Sequence, residues 1–217
     1  MKLPNIKHCV DVSKFIQVKD DPYAYIMMHL DREYLEDNKA CESFIKECER
    51  SIRRSDDYKG FIDWIKRVVG INFCQVSSKI ISSDKVHVEM HHGPIFTIYD
   101  VILCAIDYRL DKNLRVNTFT ITDQVLQDHY DLIVPVVMLA KTYHEAVHNR
   151  DIFLNLNQQL GDLKGFLCKY GEFLDDHQKY KLYNYIKLSQ SNKSFDYGIL
   201  TVDDVKPYID IEPIDKI

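Results

Sequence analysis

The sequence predicts a mostly helical α+β protein. Three observations carry this prediction: long stretches with apolar residues at helical spacing, one short stretch in which apolar and polar residues alternate, and serine or threonine residues placed to cap helices. The 217 residues suit one domain or two small ones. Hydrophobic residues make up 46% of the chain and charged residues 28%, which is ordinary globular composition and excludes a wholly disordered protein.

Two helices are predicted in the first third of the chain. Residues 23–54 carry apolar side chains near every 3.6 positions between charged ones. Ser55 is a suitable N-cap for a second helix over residues 58–69, and Gly70 is typical of the residue that follows a helix.

Two short strands are predicted next, over residues 71–81 and 85–91. In the second strand Val86, Val88 and Met90 alternate with polar residues, so one face of the strand is apolar and the other polar. Residues 131–139 form an apolar run that predicts a buried strand or loop.

Further helices are predicted from capping patterns and apolar spacing. Thr97 with Asp100 three residues later resembles a capping box for a helix to about residue 110, and Thr142 with Glu145 resembles another for a helix that starts at residue 142. The remaining predictions are a short helix capped by Thr120 or Thr122 and ending near residue 130, helices over 160–170 and 174–188, and a tail over 190–217. The acidic part of this tail, residues 203–215, is either a flexible surface segment or a contact with a partner.

Charge and cysteine usage limit the classes of function. The formal net charge is −5 with all nine histidines neutral, which argues against a broad surface that coats nucleic acid. We expect no membrane span and no secretory signal, because no apolar segment is long enough. The six cysteines are scattered without a C-x-x-C pair, which predicts free thiols in a reducing cytoplasm.

Histidines are concentrated in the middle of the chain, where six of the nine lie between His87 and His148. His91 and His92 end the alternating strand. His144 and His148 are spaced i and i+4 on a predicted helix, so both imidazoles project from one face. That is the spacing with which one divalent ion binds two nitrogen ligands at about 2 Å.

These two pieces together resemble the HNH (His-Me finger, ββα-metal) nuclease motif, and the phrases around them resemble HNH-like proteins of large tailed bacteriophages. The resemblance implies a ββα core in which His91, His144 and His148 bind one divalent metal ion (Mg, Mn, Ni or Zn) and His92 is the general base that activates water. The implied function is hydrolysis of DNA phosphodiester bonds in the host cytoplasm.

The sequence departs from that motif in ways that leave roles open. His92 and His144 are 52 positions apart, so a helical insertion near residues 97–130 must lie between the strands. Pro135 stands where the family's orienting Asn is expected, and Asn117 and Asp131 are the candidate substitutes. Glu89 shares a strand face with His91 and is a candidate to orient a metal ligand, or simply an exposed strand residue. The predicted regions are an N-terminal helical region (1–71), the HNH-like core (72–150) and C-terminal helices with a tail (151–217).

The basic residues of the first two helices allow two interpretations. They could contact DNA phosphates, or they could form a solvated face, because acidic residues lie between them. The residues concerned are Arg50, Arg53, Arg54, Lys59, Lys66 and Arg67. The alternative function is a catalytically inactive HNH-fold phage protein that binds a protein partner; the oligomeric state stays open.

Overall fold

A small two-stranded sheet lies among helices in the computed structural model, which describes residue 30, residues 32–191 and residues 201–209. The mostly helical α+β class is confirmed. The strands are β1 (Val88–His92) and β2 (Val136–Ala140). The helices, in chain order, are α1 (Arg32–Glu36), α2 (Asn38–Arg54), α3 (Asp56–Trp64), α4 (Ile98–Asp111), α5 (Thr118–Tyr130), α6 (Lys141–His148), α7 (Leu163–Tyr170), α8 (Asp176–Ser191) and α9 (Val202–Val205).

The first predicted helix is divided at Asp37; its residues 23–29 and residue 31 lie outside the described part of the chain. The Asp37 carboxylate accepts hydrogen bonds from the backbone N–H groups of Lys39 (2.8 Å) and Ala40 (3.0 Å). A side chain that satisfies these otherwise unpaired N–H groups starts a new helix, α2. Ser55 caps α3 as predicted, and a π-helical turn then ends at Gly70 in the left-handed conformation (φ 83°).

Only the second of the two adjacent strands predicted before residue 92 forms a regular strand. Within the described residues, the stretch 71–81 contributes an isolated bridge between Phe73 and Ile81 instead. The partner of β1 is β2, which pairs with it antiparallel and places His91 opposite Val137 and His92 opposite Val136. Helices α4 and α5 connect the strands, at the place where the sequence predicted a helical insertion.

Capping patterns in the sequence correctly predicted the N-cap of α4 but not the start of α5 or of α6. Thr97 and Asp100 form the reciprocal capping box of α4. Helix α5 begins after Asn117, whose side-chain oxygen accepts from the Thr120 N–H at 2.9 Å, so Thr120 completes the box rather than starting it. Helix α6 starts directly after β2 at Lys141, and within the described chain no side chain caps it, so the predicted Thr142 cap is wrong.

The sheet separates two apolar cores. Burial along β1 alternates, with Val88 and Met90 buried in the main core beside the helices. β2 is buried throughout: Val136 and Met138 belong to the main core. Its other face supplies a smaller core whose buried members are Cys74, Val137, Leu139, Ala140 and Leu154, with Tyr143 and Val147 of α6 packed against it. The two faces of the sheet therefore meet different partners.

A buried ion pair joins α5 to α7. Asp128 is fully buried, and its Oδ1 lies 2.5 Å from Nζ of Lys169. The Tyr170 hydroxyl donates to the other carboxylate oxygen of Asp128. Burial raises the pKa of Asp128, although the hydrogen bonds from Lys169 and Tyr170 oppose that rise. Removal of one partner would leave a charge in the core without compensation.

The main core also receives side chains from the end of the chain. Residues 201–209 were predicted as part of a tail, but Val205 and Ile209 are buried in that core. The core contains residues of all three predicted regions, such as Phe44, Ile102 and Phe166. The division into regions 1–71, 72–150 and 151–217 stays a prediction.

Replacement of Lys169 by Met should lower the free energy of unfolding by about 3 kcal/mol, because Asp128 loses its countercharge in a buried position. Lys164→Met on the same helix is the matched control, since Lys164 pairs with Asp204 at 2.8 Å near the surface. Urea unfolding of the full chain measures both losses. Equal losses in the two variants would contradict a special role for the buried pair.

Candidate metal centre

Three histidines from two elements converge on one side of the sheet. His91 projects from the β1 face that is turned away from the main core, and His144 and His148 lie one helical turn apart on α6. Their ligand nitrogens all lie within 4.8 Å of one another. The three residues predicted to bind metal are therefore neighbours in the fold.

The rings face each other around a common point. The centroid of His91 lies 5.0 Å from that of His144 and 5.1 Å from that of His148, both at steep interplanar angles. The Nε2 atoms of His144 and His148 are 3.1 Å apart. Glu89 Oε2 accepts a hydrogen bond from Nδ1 of His144 at 2.7 Å. In the neutral form of His144 this contact places the proton on Nδ1, so that Nε2 carries the lone pair.

The cluster is half-buried. His91 and His144 are partly covered and His148 is exposed. Burial lowers the pKa of His91 to about 4, and the neighbouring His144 and His148 lower it further in the same direction. His91 is thus neutral at pH 7, which is the form in which imidazole binds a metal.

His92 lies on the opposite face of β1, in the main core. Its Nε2 is 2.9 Å from Nε2 of His129, and its ring stacks on Tyr58 at 6.1 Å between centroids. Nδ1 of His129 donates to the Val125 carbonyl at 2.6 Å, so Nε2 of His129 must accept and Nε2–H of His92 must donate. Both imidazoles are neutral in this arrangement.

The four histidines expected in one site are therefore divided into a group of three and a separate buried residue. His92 is 7% exposed, and burial first, then His129, holds its pKa well below the usual value. A general base requires contact with the reacting water and a pKa near the working pH. Because neighbouring strand residues point to opposite faces, His91 and His92 do not share one site.

Asn117 and Asp131 have capping roles at the two ends of α5. Asn117 is the N-cap, and Asp131 is the C-cap, where its carboxylate accepts from Gln127 at 2.8 Å. Sequence reasoning assigned no role to His129. The signal was present, however, because Ile121, Val125 and His129 follow one another at four-residue intervals on the buried stripe of α5.

The predicted phosphate contacts are surface residues, several of which form ion pairs within their own helix. Arg53 pairs with Glu49 at 2.9 Å, and Lys59 pairs with Asp56 at 3.0 Å. Arg67 lies 3.8 Å from Asp63. Of the remaining members of the set, Arg50 and Arg54 lie on α2, and Lys66 lies on the π-helical turn that follows α3. These pairs favour the solvated-face interpretation.

None of the helices in the described part of the chain has both the length and the apolar character needed to cross a membrane.

Comparison with known proteins identifies the class to which the chain belongs. The sequence model of the family described as "Bacteriophage G278-like virion protein" matches residues 3–213. The chain belongs to this family of phage virion proteins. No curated protein and no solved structure matches it. The phage origin suggested by the sequence is therefore supported.

The family contradicts the predicted DNA endonuclease. Its members are described as components of the virion and not as nucleases, so the implied hydrolysis of phosphodiester bonds is wrong. The role of His92 as general base was part of that prediction and falls with it. The comparisons also give no support to DNA binding or to a location in the host cytoplasm.

The free energy of unfolding should decrease as the pH is lowered, because of the titration of His129. Burial lowers the pKa of His129 to about 4, against 6.5 in the unfolded chain. Below pH 6.5 the unfolded chain therefore binds a proton that the folded chain refuses, and the free energy of unfolding drops by about 3 kcal/mol by pH 4. His91 and His92, whose pKa values are also lowered, contribute with the same sign.

Urea unfolding with a chelator present, over pH 4 to 7, measures this slope. His129→Asn keeps a donor for the Val125 carbonyl and cannot titrate, so the slope should decrease by up to one proton. His177→Asn, at an exposed histidine, is the control. An unchanged slope in His129→Asn would refute the assignment.

Proposed function

We propose that this chain is a structural component of the phage particle in which one divalent metal ion, bound by His91, His144 and His148, fastens α6 to β1, and that it binds another protein of the particle. The observation that carries the metal part is the convergence of three imidazoles from two elements within 4.8 Å. The family supports the virion part.

The donor set favours zinc among the candidate ions. Imidazole nitrogen suits Zn²⁺ and Ni²⁺, whereas Mg²⁺ prefers oxygen ligands. Two nitrogens bound to one tetrahedral zinc lie about 3.3 Å apart. The Nε2 atoms of His144 and His148 are already separated by 3.1 Å. Little movement of these two side chains is needed to admit the ion.

Glu89 supports the same interpretation. A histidine that ligates zinc commonly donates its other N–H to a carboxylate, which fixes the ring and strengthens the ligand. Glu89 accepts a hydrogen bond from Nδ1 of His144 in this way, at 2.7 Å, while Nε2 of His144 faces His148.

Helix α6 is the element that a metal ion would stabilise. It has eight residues, of which none is fully buried, and a helix of that length is marginal by itself. Its contacts with the sheet include the half-buried Tyr143 and Val147, the bond of His144 to Glu89, and the ring contacts of His144 and His148 with His91. An ion shared by His91 of β1 and two residues of α6 adds a link between these elements.

Zinc should bind the full chain at one ion per molecule and raise the free energy of unfolding, by about 2.7 kcal/mol when free zinc is 100 times its dissociation constant. Calorimetric titration and thermal unfolding measure this. His144→Ala should abolish both effects. His87→Ala, at an exposed histidine directly before β1 and outside the cluster, should retain them.

A conservative variant guards against simple misfolding of His144→Ala. Glu89→Gln keeps the shape of the side chain and removes its charge, and it should weaken zinc binding by about tenfold. Failure of the wild type to bind zinc, or an equal loss in His87→Ala, would refute the metal site.

The virion part has its own test. Particles purified on a gradient and analysed by mass spectrometry should contain the chain at a fixed ratio to the major structural proteins, and cross-linking should join it to one of them. If the chain is found in infected cells but not in purified particles, a structural role in the virion is excluded.

A further inference from the structure

We infer that the metal ion keeps one coordination position open toward solvent in the isolated chain, and that a carboxylate of another protein in the phage particle fills it on assembly. This inference rests on the metal site of the proposed function and names the partner chemistry of that site.

The described residues supply three ligands where a structural zinc takes four. His91, His144 and His148 are the only group of three or more potential ligands found among the residues that the structure describes. The Glu89 carboxylate beside the cluster already accepts a hydrogen bond from Nδ1 of His144 at 2.7 Å. Structural zinc sites are almost always closed by four protein ligands. The fourth ligand must therefore come from outside this set.

The side from which such a ligand would arrive is accessible. His148 is exposed, and the side chain of Glu145 beside it on α6 is 64% exposed and lies 3.9 Å from Lys141. Gly93 follows β1 in a backbone conformation (φ 135°) that favours glycine, and a Cβ at that position would stand 3.2 Å from Nε2 of His91. The lack of a side chain at Gly93 keeps that edge of the imidazole uncovered.

Charge selects the chemistry of the incoming group. Three neutral imidazoles leave the double positive charge of the ion unbalanced, and Glu89 offsets only part of it from the far side of His144. A carboxylate binds zinc at about 2.0–2.2 Å and brings the missing negative charge. An Asp or Glu side chain of a neighbouring virion protein meets both requirements, and it would make the contact depend on metal.

The test uses the full chain loaded with Co²⁺, whose visible bands report the number and kind of ligands, and acetate as the carboxylate probe. Acetate should change these bands saturably, at one acetate per cobalt. His87→Ala should behave like the wild type, while His148→Ala should lose the response.

Each alternative outcome has a distinct meaning. Cobalt bands that do not respond to acetate in a monomeric chain would show that the chain closes its own site, and would overturn the inference while the metal site stands. If the chain dimerises when it binds metal and acetate does not change the cobalt bands, the fourth ligand comes from a second copy of the chain. This outcome would also overturn the inference. The absence of any bound cobalt would instead refute the proposed function.

The partner is tested in the particle. Phage carrying His148→Ala should lose the chain during gradient purification, and phage carrying His87→Ala should keep it. Chelation of wild-type particles should release the chain in the same way. Equal retention in both variants, with folding verified in the isolated proteins, would overturn the role of a partner carboxylate.

Discussion

The two-residue period of β1 is the constraint on which the arrangement of the site depends. Successive side chains of a strand point to opposite faces, so Glu89 and His91 face α6 while Met90 and His92 face the helices of the main core. A shift of one residue in the pairing with β2 would exchange these sets. It would place Met90 among the polar ligands and His91 in an apolar interior.

The partner strand makes that register costly to change. Every residue of β2 is buried, with Val136 and Met138 in the main core and Val137 and Leu139 in the small one. Tyr143 and Val147 of α6 pack against the small core. This packing fixes the position of α6 along the sheet, and with it the positions of His144 and His148 relative to His91. Ordinary packing on both faces of a two-stranded sheet brings the three imidazoles together, before any ion binds.

Sequence patterns predicted what local chemistry decides and missed what distant contacts decide. The Thr97–Asp100 box and the Ser55 cap depend on residues within three positions, and both are present. Thr142 has the same local pattern, yet α6 starts earlier because β2 ends at Ala140 and leads directly into it. The partner of β1 lies beyond α4 and α5, so short-range alternation did not reveal it. The positions of His144 and His148 on one face followed from spacing alone.

The separation of His91 from His92 explains why a matching set of residues did not imply the matching reaction. The alternation of residues 86–91 already indicates that His91 and His92 lie on opposite faces of the strand. The resemblance to the nuclease motif concerns residue types and their order, and it does not include this difference in direction. A metal-dependent nuclease needs its base and its metal on the same side of a substrate. Here the second histidine bonds to His129 beneath the sheet. The types and order of the residues therefore show which ligands are available. The face of the strand on which each residue lies determines which of them can act together, and that geometry determines the function.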